Sequence, residues 1–182
     1  MYQDAYSSGI NYSLMPPIRF GGTKIGRAAL KVAIAEMNSG AGEVGGNNFG
    51  PWVKKYLNEL AVEGSAWCAA FVSHCFSHGG FRFPFEYTVS AKQLLNQFRK
   101  LRWCYDKSSG ITPEPGDIVF WWRIKPNSWQ GHCGLVHHYA NGRLFTIEGN
   151  RSSKVEGFSY GFDKMKRLLG FGRVPDDFAA RI

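Results

Sequence analysis

A chain of 182 residues is the size of one domain, and folding at that length buries roughly 70% of the surface that the unfolded chain exposes. Apolar content of 44% beside 20% charged residues describes a soluble globular protein, and no run reaches the ~18 apolar residues of a membrane span, which excludes membrane insertion. The formal charge of +8 draws the surface toward polyanions, whether nucleic acid, anionic lipid or the acidic polymers of a bacterial envelope; with KMKR at 164–167 as the densest basic run, nucleic acid is disfavoured as a partner.

Residues 1–24 are rich in Tyr, Ser, Gly, Asn and Pro without a sustained period and read as an arm. From Ile25 to Met37 apolar residues recur at 25, 28, 29, 32, 33 and 37, one face of a helix, with Thr23 placed to cap it and Gly40 beyond its end. After the loop GAGEVGGNNFG, Pro51 can open a second helix whose face carries Trp52, Val53, Tyr56, Leu57 and Leu60. WCAAFVSHCFSHGG predicts a third helix, stopped by Gly79 and Gly80, and Ser90 is placed to cap a fourth that runs through Trp103.

The period then changes. Residues 117–122, 132–139 and 143–149 are short, rich in β-branched and aromatic residues, and bounded by turn residues, so they predict strands. Asn141-Gly142 between the last two is a strong hairpin signal. Helices first and antiparallel strands after make the fold class α+β, with no internal repeat and no credible linker.

Four cysteines at 68, 75, 104 and 133 show no CxxC spacing and read as free thiols. Cys75 and Cys133 fit core positions, and Cys104 has no assigned role. Cys68 differs, because in GSAWCAAFV it stands where a glycine turn gives way to a helix, and the unsatisfied N–H groups and dipole of a helix N-terminus favour a thiolate. A thiolate nucleophile also needs a base, normally a histidine oriented by a third polar group. The hairpin offers His132, at a strand start, and Glu148 with Asn150, at the end of the partner strand.

Whether these meet depends on the turn. A two-residue Asn141-Gly142 loop sets His132 and Glu148 on opposite faces of the hairpin. A three-residue Ala140-Asn141-Gly142 loop with Gly142 in a bulge pairs Tyr139 with Arg143 instead. That register sets Gly134 opposite Glu148 and His132 opposite Asn150, with His132 diagonal to Glu148 on one face and Leu135, Phe145 and Ile147 on the other. The three-residue loop is therefore the expected one.

The ordered set GSAWCAAFV, PGDIVFW, GHCGLV and TIEGN resembles the CHAP family, the cysteine, histidine-dependent amidohydrolases/peptidases that cut peptidoglycan, over about residues 25–174. The resemblance implies a papain-like fold, a catalytic domain over 25–182, Cys68 as nucleophile, His132 as base, and Glu148 with Asn150 as the groups that orient and polarise the histidine. It implies bacterial peptidoglycan as substrate and a reaction that needs no cofactor; some members of the family use calcium, but this sequence has no zinc motif and no acidic calcium loop of the D-x-[DN]-x-[DN]-G kind, so no metal is expected. Many members carry a polar residue just before the cysteine, where Trp67 stands here; the Cys68 backbone N–H is the expected oxyanion donor and the second donor is open. The first residues carry no secretory signal pattern, so the expected location is a host cytoplasm or a virion before action at the cell wall, as for a phage lysin or an injected antibacterial effector. The arm 1–24 is then the candidate contact with a phage structural or envelope partner. Two other functions fit the same residues: a thiol protease, deamidase or transferase acting on proteins, and a cell-wall-binding module without catalysis.

Several polar and aromatic residues have plainer readings. His74 and His78, four apart on a helix, lack an HExxH glutamate or third ligand and read as surface or packing residues. His137 and His138 read as structural. Phe120, Trp121, Trp122 and Trp129 are split between core and a sugar-binding groove. Glu43 and Asn47 are placed to cap a turn or edge the cleft.

Overall fold

The computed structural model describes residue 18 and residues 20–180. Almost all of the arm 1–24 therefore lies outside the described residues. Four helices, α1 (Lys24–Asn38), α2 (Pro51–Leu57), α3 (Cys68–Ser77) and α4 (Ala91–Lys100), precede a six-stranded antiparallel sheet. Its strands are β1 (Cys104–Tyr105), β2 (Ile118–Trp122), β3 (Gly131–Ala140), β4 (Arg143–Glu148), β5 (Glu156–Gly161) and β6 (Leu168–Gly172), in the order β1-β6-β2-β3-β4-β5. This is an α+β, papain-like arrangement.

The helices begin where their caps dictate. Thr23 accepts a hydrogen bond from the Gly26 N–H, Ser90 accepts one from the Gln93 N–H, and Pro51 occupies the first turn of α2, where its missing N–H costs nothing. α4 ends at Lys100 rather than at Trp103, because Arg102 adopts a left-handed φ of 59° and the Trp103 N–H turns back onto the Phe98 carbonyl. α3 is buried from Cys68 to Phe76 and lies between α1 and β3, which is why small and apolar residues surround its whole circumference.

Both faces of the sheet are packed. On the helix side Ile118, Phe120, Cys133, Leu135 and Ile147 join the main core; on the far side Val119, Trp121, Val136, Leu144, Phe158, Tyr160 and Phe171 form a second one. An exposed site face is therefore absent at the base of the β3–β4 hairpin, and polar groups placed there are enclosed.

The hairpin register corrects the expected turn. The loop has two residues: Asn141 and Gly142 have φ of 50° and 71°, and Ala140 pairs with Arg143 and Tyr139 with Leu144. Two positive φ values in succession match the right-handed twist of the strands, so this Asn-Gly pair favours the tight turn over the three-residue bulge. The register shifts farther down, where Val136 pairs with Thr146 and His138 with Phe145, leaving His137 as an extra residue. This β-bulge restores at the hairpin base the parity that the tip loses, so Leu135 faces Ile147 as expected.

Candidate active site

Cys68 is the first residue of α3, in the turn whose N–H groups have no intrahelical acceptor. Its side chain is 3% exposed and lines a cleft of about 410 Å³ with Ser65, Ala66, Ser90, Arg123, Trp129 and Gln130 among its walls. Hydrogen bonds from Cys133 and then His132, with the charges of His132 and Arg123, hold the Cys68 thiol well below its ordinary 9.0 despite burial. Cys133, read as core, is fully buried as expected but also touches the nucleophile candidate; burial pushes its own thiol well above 9.0, so of the two it is the proton donor. Burial likewise raises Cys75, and raises Cys104 to about 11.

His132 is fully buried, stacked on the Trp121 ring with centroids 5.5 Å apart. Its Nε2 lies 2.7 Å from Glu148 Oε2. Glu148 Oε1 accepts hydrogen bonds from Thr146 Oγ1 at 2.6 Å and from the Tyr160 hydroxyl at 2.7 Å. Burial raises the carboxyl, but the hydrogen bond and charge of His132, with the Arg151 charge and the Thr146 hydroxyl, together outweigh it and leave Glu148 below its ordinary 4.5. For His132, burial and the Arg123 charge pull down while Cys68 and Glu148 pull up, and the net direction is upward from 6.5.

The diagonal contact needs the glycine between the two strands. A Cβ on Gly134 would sit 2.5 Å from Glu148 Cγ and 3.1 Å from the Ile147 carbonyl oxygen. Gly134→Ala is accordingly expected to push Glu148 off His132 and to lower the rate of any reaction that uses the pair by about 10–100-fold. Activity at several pH values, beside a melting curve, checks this; an unchanged rate in a folded variant would remove Glu148 from the site.

Asn150 does not reach the imidazole, which corrects the expected cross-strand contact. β4 ends at Glu148, Asn150 takes a left-handed φ of 62°, and its Oδ1 accepts from the backbone N–H of Trp67 at 2.9 Å. Its Nδ2 donates to Asn48 Oδ1 at 2.6 Å. Glu43 neither caps a turn with its side chain nor lines the cleft; its Oε1 accepts from the Trp67 indole Nε1 at 3.0 Å. Trp67, the unusual residue before the cysteine, is thus held by both its backbone and its indole, so Asn150 and Glu43 fix the entry into α3. Because the Trp67 N–H is committed to Asn150, the second oxyanion donor does not come from it.

The remaining candidates sort cleanly. Of the aromatic set, Phe120 and Trp121 are core, while Trp129 is 78% exposed at the cleft wall. His74 Nε2 lies 3.5 Å from Glu36 Oε1 on α1, and His78 Nδ1 meets the His74 carbonyl oxygen at 3.0 Å. His137 and His138 meet through their Nδ1 atoms at 2.7 Å, at the bulge. Among the described residues, no group of three or more His, Cys, Asp or Glu side chains is arranged to hold a metal ion. Arg123, which carries no periodicity or motif in the sequence, donates from Nη2 to His132 Nδ1 at 3.0 Å and was missed. Its only signal is position, directly after the strand that pairs with the histidine strand.

A family model described as the CHAP domain matches residues 61–150. No curated protein matches the chain.

Proposed function

Because this chain carries a CHAP domain over residues 61–150, we propose that it is an amidase- or peptidase-type hydrolase of bacterial peptidoglycan that works through a Cys68 thioester. The observation that carries this reading is the order of the contacts: a thiol at a helix start with its pKa drawn down, a histidine beside it, and a buried carboxylate 2.7 Å behind the histidine.

In this mechanism the Cys68 thiol passes its proton to His132 Nδ1, while Glu148 accepts the hydrogen bond from Nε2–H and stabilises the imidazolium. The thiolate attacks the amide carbonyl carbon, and the Cys68 N–H, in the first turn of α3, donates to the developing oxyanion. Collapse of the tetrahedral adduct breaks the C–N bond as His132 returns the proton to the leaving amine. Water, deprotonated by His132, then attacks the thioester and releases the acid and the free thiol. Trp129 at the cleft wall offers an exposed ring to the carbohydrate or apolar face of the substrate. The charge of +8 holds the protein on an anionic envelope, and that hold weakens as salt rises.

Digestion of purified peptidoglycan followed by mass spectrometry of the fragments tests the reading, since the new termini name the bond. The expected products are a new amine and a new carboxyl at one amide position, absent with Cys68→Ala. Intact peptidoglycan alongside cleavage of a protein substrate would favour a thiol protease instead.

A further inference from the structure

The mechanism above uses one sulfur, and the structure sets a second against it. Cys68 opens α3, α3 packs on β3, and Cys133 stands on the face of β3 that joins the helix-side core. The two side chains meet there, and the Cys133 S–H donates to the Cys68 sulfur. Cys133 is fully buried and does not line the cleft, so no substrate atom reaches it. Amide hydrolysis through Cys68 and His132 does not require a thiol at that position.

The other two cysteines are placed differently. Cys75 lies on α3 too, but two turns on, about 10 Å along the helix axis, which exceeds the roughly 7 Å between Cα atoms that a disulfide can span. Cys104, on β1, is separated from β3 by β6 and β2, about 14 Å across the sheet. Among the described residues, Cys68 and Cys133 are therefore the one cysteine pair in contact. The two thiols are also unlike in reactivity: Cys68 faces the cleft as the ionised partner, while Cys133 stays protonated behind it, its thiol raised by burial. A thiolate open to small reagents with a second thiol at its back is the arrangement of a peroxide-sensitive cysteine and its resolving partner.

We propose that Cys68 and Cys133 form a reversible disulfide, which switches the hydrolase off under oxidising conditions and spares its nucleophile from irreversible oxidation. The proposal rests on the Cys68 reading above and adds the regulation of the same site. The oxidant is hydrogen peroxide, small enough to enter the cleft. The Cys68 thiolate attacks one peroxide oxygen: the S–O bond forms, the O–O bond breaks, and the departing hydroxide takes the His132 proton and leaves as water, giving a sulfenic acid. The Cys133 sulfur then attacks the Cys68 sulfur: the S–S bond forms, the S–O bond breaks, and the second hydroxide leaves as water with the Cys133 proton. Two thiols thus lose two electrons and two protons to one peroxide, which becomes two waters. Without Cys133 the sulfenic acid is open to a second peroxide and the sulfinic acid, which thiols do not reduce. Reduction returns through the cleft, where a dithiol attacks the Cys68 sulfur, expels Cys133, and then releases Cys68 by closing its own ring.

The test treats the full chain with hydrogen peroxide and maps its peptides by mass without reduction. The wild type is expected to lose the mass of two hydrogens at the thiols and to yield a peptide that joins Cys68 to Cys133; peptidoglycan turnover should fall to background and return to its starting rate with dithiothreitol. Cys133→Ala, judged against its own untreated rate, is expected to lose turnover to peroxide and not to regain it, with sulfinic acid found on Cys68. A wild type that carries sulfinic acid on Cys68 with no joined peptide overturns the proposal, as does a bridge from Cys68 to another cysteine, or a Cys133→Ala protein that dithiothreitol restores as fully as the wild type. The wild-type map decides the matter even if the variant folds poorly. Untreated protein that leaves peptidoglycan intact while the Cys68–Cys133 peptide still forms on oxidation would sink the substrate reading and keep the thiol pair; digestion of peptidoglycan with no such peptide would sink the pair alone.

Discussion

Cys68→Ser and Cys68→Ala are expected to lower peptidoglycan turnover by about 10⁴-fold or more, because neither side chain forms a thiolate or a thioester. The fold should survive. Cys68 is buried against Cys133, so removal of its sulfur costs stability, on the order of 1 kcal/mol, without removing any of the large side chains of the core. The wild-type pH profile should share the same origin. Activity needs Cys68 ionised and His132 protonated; the first is drawn well below 9.0 and the second is held above 6.5. The rate should rise as the pair loses its first proton, on the acid side, and fall as His132 gives up its proton above its raised pKa, with both limbs belonging to the coupled pair. Turnover and iodoacetamide alkylation measured across pH check this together. Turnover retained by Cys68→Ala would remove the nucleophile, and an alkylation rate that climbs only near pH 9 would remove the ion pair.

Glu148→Gln should be nearly as damaging, for a reason visible in what surrounds the carboxylate. Thr146 Oγ1 and the Tyr160 hydroxyl both donate to Oε1, while His132 meets Oε2. A glutamine in this site keeps both hydroxyl donors satisfied only by turning its carbonyl oxygen toward them, which aims its NH₂ at His132 Nε2. The imidazole must then accept at Nε2 and carry its hydrogen on Nδ1, the tautomer that cannot take the thiol proton. A wrong tautomer held in otherwise intact geometry costs about 10³–10⁴-fold in rate. Nitrogen NMR of the labelled histidine, with the hydrogen found on Nδ1 in the variant, is the decisive observation, beside a kcat loss and a near-native melting curve. Glu148→Gln within tenfold of wild type would mean that this carboxylate does not govern the tautomer. Ile147→Gln, one residue earlier on the helix side, should do the reverse: it buries an amide in the main core and costs about 1–3 kcal/mol of stability, while the folded fraction keeps its thiol reactivity.

The helices were legible because their caps and periods are local: Thr23, Pro51 and Ser90 act within one turn of where they stand. Face parity at the hairpin base was legible too, but through the wrong turn, since a bulge at His137 leaves no mark in a pattern where His137 and His138 are alike. Asn150 was misplaced because strand alternation was carried two residues beyond the last paired one, into a left-handed turn. The full burial of His132 and Glu148 was illegible for a larger reason. It depends on the second core, built by β5 and β6 from residues such as Phe158, Tyr160 and Phe171, whose contribution appears only once the sheet order is known. Arg123 reaches the site across a connection whose shape no short-range signal describes.

The extra residue at His137 also makes the two ends of the hairpin separable to evolution. Below it, His132, Gly134 and Glu148 are indexed to the bulge; above it, Tyr139, Leu144 and the Asn-Gly turn keep their own count. The tip can therefore gain or lose residues, or be exchanged for a different loop, without moving the imidazole to the other side of the sheet. A single deletion at position 137 would instead invert the lower half, turning Leu135 and Cys133 outward from the helices and His132 in toward them, and would abolish both core and site in one mutational step.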